Sequence, residues 1–84
     1  MIEKMNEKDF YKWFGKEFQV TRERKGLKQK DVAEQAEVDP TELSRFENTG
    51  KKISAYKILR LLKAINSTAE EILGESEKKT YWLM

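Results

Sequence analysis

The 84-residue sequence contains no cysteine and no histidine. Without cysteine no disulfide can form, and without thiolates or imidazoles the usual ligands of zinc and most transition metals are missing. No apolar run approaches the roughly 20 residues that a membrane-spanning helix needs, and residues 1–10 are too polar for a signal peptide. These absences predict a protein with no metal, no other cofactor and no membrane partner, and the cytoplasm is the expected compartment.

Catalytic motifs are missing as well. The sequence has no glycine-rich phosphate loop and no recognisable pair of carboxylates, so it is predicted not to be an enzyme. The net charge is +2, from 17 basic and 15 acidic residues, and nucleic-acid binders are often more basic. A local basic face would still be enough to bind nucleic acid, because contacts with phosphates act over short distances at cellular salt. The overall charge therefore leaves the ligand open.

Glycine and proline are scarce, with four glycines and one proline, and the alternation typical of strands is almost absent. The sequence therefore predicts an all-α fold in a single domain over residues 1–84, with a core at 9–74 and a C-terminal tail at 75–84. Asp9, Asp39 and Ser54 are the predicted N-caps of the first, third and fourth helices. The five predicted helices cover approximately residues 9–25, 29–36, 40–48, 54–65 and 67–74.

Apolar spacing within these helices predicts their buried faces. Phe10, Phe14 and Phe18, four residues apart, indicate the core face of the first helix. Gly15 in the same helix costs about 1 kcal/mol relative to alanine, so it is expected to mark a close approach of another helix. On the fourth helix, the predicted buried side consists of Ala55, Ile58, Leu59, Leu62 and Ile65.

The middle of the sequence carries the most specific pattern. The stretch Gln29-Lys30-Asp31-Val32-Ala33-Glu34-Gln35-Ala36 opens with glutamine and has a central alanine, and Val38-Asp39-Pro40-Thr41-Glu42-Leu43-Ser44-Arg45-Phe46-Glu47 follows after a short turn. Together with the later run from Ile58 to Ile72, these segments resemble the Cro/C1 type of helix-turn-helix domain, the Xre family of regulators. The resemblance covers Phe14 to Leu73.

This resemblance implies a five-helix, lambda-repressor-like DNA-binding domain whose recognition helix, residues 40–48, enters the major groove. It implies a sequence-specific transcriptional regulator, a repressor that binds a two-fold operator of double-stranded DNA as a homodimer. The base-facing positions would be Thr41, Glu42, Ser44 and Arg45. The phosphate contacts would come from Lys28, Gln29, Lys51 and Lys52. Arg22 and Glu47 would form a partly buried structural ion pair.

Several positions depart from the family pattern, and Glu37 and Glu42 are two of them. Glu37 stands where a turn glycine is common, so it is expected to adopt a left-handed conformation at some cost. Glu42 would be repelled by DNA unless it accepts a hydrogen bond from a cytosine amine, or leans away toward Lys30.

A second interpretation therefore stays open. The same fold can serve as a protein-interaction module, antitoxin-like or regulator-binding, with a weak or absent role at DNA. The near-neutral charge, the acidic Glu42 on the groove face and the apolar end of the tail favour this alternative. Exposed apolar patches often mark interfaces, and the candidate interface residues are Trp13, Tyr81 and Trp82, with a protein partner bound through the C-terminal tail.

Overall fold

The computed structural model describes residues 5–73, and all regular secondary structure within that range is helical. The helices are α1 (Glu7–Arg24), α2 (Gln29–Ala36), α3 (Pro40–Thr49) and α4 (Ala55–Ala64), and a fifth helical segment, α5, follows at residues 69–73. The predicted all-α fold and the order of its helices are confirmed. No helix in this range is long and apolar enough to cross a membrane.

The first helix begins earlier than predicted. Its N-cap is Asn6, whose side-chain oxygen accepts a hydrogen bond of 2.8 Å from the backbone N–H of Asp9. The predicted cap at Asp9 is therefore wrong. Asparagine and aspartate are equally good capping residues, and Asp9 instead lies in the first turn, where a negative charge interacts favourably with the helix dipole.

The centre of the core lies where α1 crosses α3. Phe14 and Phe18 pack edge-on against Phe46, with ring centroids 6.1 and 5.7 Å apart. A Cβ atom on Gly15 would overlap the carbonyl oxygen of Phe46. The close approach predicted at Gly15 is thus confirmed, because every other residue would collide with the α3 backbone.

The face of α4 that is buried matches the predicted one only in part. Leu61, Leu62 and Ile65 are buried, whereas Leu59 is 63% exposed and Ala55 is exposed too. The prediction was wrong at Leu59 and Ala55 and omitted Leu61. In the middle of this helix the apolar residues Ile58, Leu59, Leu61 and Leu62 span an arc of about 160°. Their spacing alone therefore does not determine which edge of that arc α2 covers.

Lys25 links the corner between the end of α1 and the end of α4 by hydrogen bonds. The Nζ of Lys25 donates to the carbonyl oxygens of Ile65 and Asn66 and to the hydroxyl of Ser67, at 2.8, 2.9 and 2.8 Å. The last carbonyls of a helix lack intrahelical partners and carry partial negative charge, which favours a cation there. Lys25 thus acts as a cap of α4 contributed from a distant part of the chain.

The start of α5 is capped locally. The hydroxyl of Thr68 accepts a hydrogen bond from the backbone N–H of Glu71 at 3.1 Å. A hydrogen bond from the side chain of Ser67 lowers the pKa of the Glu71 carboxyl, and the charge of Lys25 acts in the same direction. The capping sequence predicted at residues 67–71 therefore begins this helix.

Candidate nucleic-acid interface

The turn between α2 and α3 sets the angle at which α3 leaves the domain. Glu37 lies in the left-handed region, with φ 58° and ψ 42°, as the sequence predicts. Arg60 from α4 supports the turn, since its Nε donates to the carbonyl oxygen of Ala36 at 2.7 Å and its Nη2 pairs with the Glu37 carboxylate. Val38 fills the corner and is buried. Contacts with α4 therefore hold a turn that has no glycine.

The third helix starts and ends with side-chain to backbone hydrogen bonds. The Asp39 carboxylate accepts from the N–H of Thr41 at 2.7 Å, and Pro40 occupies the first turn, where a missing N–H costs nothing. At the other end, the Thr49 hydroxyl donates to the carbonyl oxygen of Arg45 at 2.7 Å. The left-handed Gly50 ends the helix, which runs one residue beyond the predicted Asn48.

The inner face of α3 is tied to α1 and α2 by a buried ion pair. Arg22 donates through Nε and Nη2 to the two carboxylate oxygens of Glu47, at 2.8 and 2.9 Å. Arg22 also donates to the carbonyl oxygen of Leu27, and Gln29 Nε2 donates to Glu47 Oε1 at 2.9 Å. Arg22 is 6% exposed and Glu47 only 2%. Buried charges need this complete hydrogen bonding to be tolerated.

Gln29 thus has two distinct parts. Its side chain faces inward to Glu47, while its backbone N–H lies at the start of α2. Helix N-termini attract anions through such N–H groups, and Lys28 just before it is exposed and forms no side-chain cap. The phosphate contact predicted for Gln29 would therefore be made through the backbone.

The outer face of α3 is polar and open. Thr41 and Arg45 are exposed, and Ser44 is half-buried. A shallow groove along this face is lined by Asp39, Thr41, Glu42, Arg45 and Lys51. Three of the four predicted base-facing residues, Thr41, Glu42 and Arg45, are therefore brought together with the predicted phosphate contact Lys51.

Glu42 does not reach the partner suggested by the sequence. Its Oε1 lies 2.8 Å from the Nζ of Lys57 on α4, and both side chains are only partly exposed. The expected approach to Lys30 is wrong, because Glu42 projects toward α4 and not toward α2. Lys57 therefore offsets the negative charge that the sequence places beside the outer face.

The loop between α3 and α4 carries the two remaining lysines. Lys51 is exposed, and its backbone N–H donates to the carbonyl oxygen of Arg45 at 3.3 Å. The Nζ of Lys52 lies 3.2 Å from a carboxylate oxygen of Glu7, and both side chains are well exposed. An exposed pair of this kind is weak, so it holds Lys52 only loosely.

The sequence interpretation missed Asn48 as a candidate site residue. Asn48 is exposed near the end of α3, and its Nδ2 donates to the Ser44 hydroxyl at 3.1 Å. The four-residue spacing from Ser44, which places both residues on one side of a helix, was the signal available in the sequence.

The predicted protein interface is described only in part. Trp13 is half-buried and packs beside Phe10 and Phe14, with ring centroids 6.0 and 6.3 Å apart. Its neighbours are thus the buried Phe14 and the half-buried Phe10 of its own helix. Tyr81, Trp82 and the rest of the predicted tail lie outside the described residues.

Comparison with known proteins agrees with this geometry. A family model for a helix-turn-helix domain matches residues 13–73, and the chain therefore belongs to the helix-turn-helix domain family. The crystal structure of the clp gene regulator ClgR from C. glutamicum shares the fold, with a TM-score of 0.72 and 23% sequence identity over 82% of this chain and 90% of that one. No curated protein matches the sequence. Membership of this family supports a DNA-binding regulator.

Proposed function

We propose that this protein is a sequence-specific transcriptional regulator of the Xre family, a repressor that acts in the cytoplasm and binds a two-fold operator as a homodimer. The outer face of α3 carries the proposal. Thr41 and Arg45 are exposed there beside Lys51, on a helix whose opposite face is anchored in the core. In helix-turn-helix proteins this arrangement presents the second helix to the major groove.

Affinity and specificity would come from different residues. Lys28, Lys51, Lys52 and the backbone N–H of Gln29 would contact phosphates, which gives sequence-independent and salt-dependent binding. Arg45 would read a guanine through its O6 and N7 atoms, the commonest specific contact in the major groove. Thr41 and Ser44 would add smaller base contacts.

The size of the recognition surface supports the proposed dimer. A single α3 covers one half-site, and two copies related by a two-fold axis would place their recognition helices about 34 Å apart, one turn of DNA.

The clp gene regulator that shares the fold is described as a regulator of genes, which is in keeping with the proposed role in transcriptional regulation.

The proposal is favoured over the protein-interaction alternative by one specific contact. That alternative drew support from an unpaired acidic residue on the groove face, but Glu42 pairs with Lys57 at 2.8 Å. A neutralised carboxylate repels DNA much less than a free one. The apolar tail, another argument for a protein partner, lies outside the described residues.

The test is a binding measurement on DNA selected from a random duplex pool. Fluorescence anisotropy should show binding that weakens steeply with salt. Arg45→Ala should cost about 1–3 kcal/mol on the selected site and less on random DNA. Lys63→Ala is the matched control, because it removes an exposed cation of α4 that does not line the α3 groove. Undetectable or salt-independent binding at low salt would contradict the proposal.

A further inference from the structure

The first two turns of α1 lie beside the loop between α3 and α4. A Cβ atom on Gly50, the residue that begins this loop, would overlap the backbone of Lys12. Close to this contact, a carboxylate oxygen of Glu7 lies 3.2 Å from the Nζ of Lys52. The proposed phosphate contacts Lys51 and Lys52 are therefore immediate neighbours of α1.

Two lysines of these turns project toward the side of α1 that faces α3. Gly15 marks that side, because its backbone packs against Phe46. Successive residues of an α-helix are rotated by about 100°, so Lys8 lies about 20° and Lys12 about 60° from Gly15 around the helix. Both lysines are nevertheless exposed, since they precede the crossing with α3 by one to two turns.

The charges on this side of α1 favour an anion. Within residues 5–73, neither Lys8 nor Lys12 forms an ion pair. Glu7 pairs with Lys52, but both side chains are well exposed, and a phosphate can displace so weak a partner at little cost. Asp9 lies about 120° from Gly15 around the helix and points away from the loop.

Lysines in this arrangement suit the DNA backbone and not a base. A lysine ammonium is a point charge on a flexible stem, which binds a phosphate without a fixed geometry. Lys8 and Lys12 are about 6 Å apart along the helix axis, and a DNA strand carries one phosphate per roughly 3.4 Å of its own axis. The two side chains can therefore reach separate phosphates of one strand.

We infer that Lys8 and Lys12 extend the phosphate-binding surface from the loop onto α1 and bind backbone phosphates next to those held by Lys51 and Lys52. The inference rests on the proposed DNA-binding function. It adds contacts from residues that precede the segment matched by the helix-turn-helix family model, which begins at residue 13. These contacts should raise affinity for every duplex and leave the sequence preference unchanged.

The first experiment measures how binding of the selected duplex depends on salt, by fluorescence anisotropy, for the full chain and for the double variant Lys8→Ala/Lys12→Ala. Each neutralised phosphate contributes about 0.9 to the slope of log affinity against log salt, so the double variant should have a slope smaller by about 1.8. Affinity should fall roughly 5- to 10-fold per lysine at about 0.1 M salt.

Lys16→Ala is the matched control for this measurement. Lys16 is an exposed lysine of the same helix, but it lies about 100° from Gly15 around the helix and one turn further from the loop than Lys12. The variant should keep the salt slope of the original protein. Circular dichroism and urea unfolding of all variants should match the original protein, because the three lysines are exposed.

The second experiment locates the phosphates. Each backbone phosphate of the selected duplex is replaced in turn by an uncharged methylphosphonate. At a phosphate bound by Lys8 or Lys12, the replacement should weaken binding by the original protein and have little effect on the double variant, since the interaction is already lost. At a phosphate bound by Lys52, it should weaken binding by both proteins.

Three results would overturn the inference. The first is an unchanged salt slope in the double variant, and the second is the absence of any phosphate at which the two proteins differ. The third is a loss of slope per lysine in Lys16→Ala equal to that in the double variant, which would reflect net charge and not contact. In each case the original protein still binds DNA, so the proposed function survives. Failure of the original protein to bind any duplex at low salt would instead contradict the proposed function itself.

Discussion

The two faces of α3 differ in burial and in how tightly their side chains are held. The inner face is buried and tightly constrained, with Phe46 against the aromatic rings of α1 and Glu47 in a fully hydrogen-bonded ion pair with Arg22. The outer face is open, and Arg45 projects from it into a shallow groove. One face fixes where the helix lies, and the other is free to vary its side chains without disturbing the fold.

The residues that determine stability and the residues that determine the ligand therefore lie on different faces of one ten-residue helix. Substitutions on the inner face should change the free energy of unfolding, and substitutions on the outer face should change the ligand. Four predictions follow from that separation, all measured by urea unfolding monitored by circular dichroism. The first three each compare a variant with a matched control.

The largest effect is expected from Glu47→Ala. The substitution leaves the Arg22 guanidinium buried without its carboxylate, which typically costs about 3–5 kcal/mol. Glu7→Ala is the control, because it removes the acidic partner of an ion pair that is well exposed and should cost about 0–1 kcal/mol. Similar losses for the two variants would mean that the inner face is not specially constrained.

Gly15→Ala should come second, at about 1–3 kcal/mol. The new methyl group would meet the carbonyl oxygen of Phe46, so α1 and α3 would have to move apart. Lys16→Ala changes the neighbouring exposed position and should be close to neutral. A stable Gly15→Ala variant would show that the crossing of α1 and α3 can widen without cost.

Arg60→Ala should cost about 1–2 kcal/mol, since it removes the donor to the Ala36 carbonyl oxygen and the support of Glu37. Lys63→Ala, on the same helix and exposed, provides the comparison. If the urea concentration at the unfolding midpoint equals that of the control, contacts with α4 do not stabilise the left-handed conformation of Glu37.

The smallest effect is expected on the outer face. Thr41→Ala and Arg45→Ala should each change the free energy of unfolding by no more than about 0.5 kcal/mol, as exposed substitutions usually do. Their DNA affinity should nevertheless fall. A loss of stability above about 1 kcal/mol in either variant would break the distinction between the two faces.

Sequence patterns predicted the local features of the fold well. The bounds of α2 and the cap at Asp39 were correct, because capping and turn residues act on their immediate neighbours. The start of α1 was wrong because Asn6 and Asp9 are both good caps and lie within one turn. Which of the two residues caps the helix depends on which side chain accepts a hydrogen bond from a backbone N–H of the first turn, and that side chain is Asn6.

Features that depend on distant segments could not be predicted from the sequence. The buried side of α4 depends on where α2 packs, so Leu59 was placed in the core although it is exposed. Glu42 pairs with Lys57, fifteen residues away along the chain, and not with Lys30. The outer face has the same limit, since a sequence shows which residues are polar but not that the amide of Asn48 is held by Ser44.

The hydrogen bonds of Lys25 have a chemical consequence. Acylating reagents attack lysine amines, and the Lys25 amine must first leave two carbonyl oxygens and a hydroxyl. In mass-spectrometric footprinting, Lys25 should therefore be labelled more slowly than Lys28, whose side chain is exposed and makes no cap contact. Raising urea should abolish the difference between the two lysines, so the labelling ratio reports directly on closure of the corner between α1 and α4.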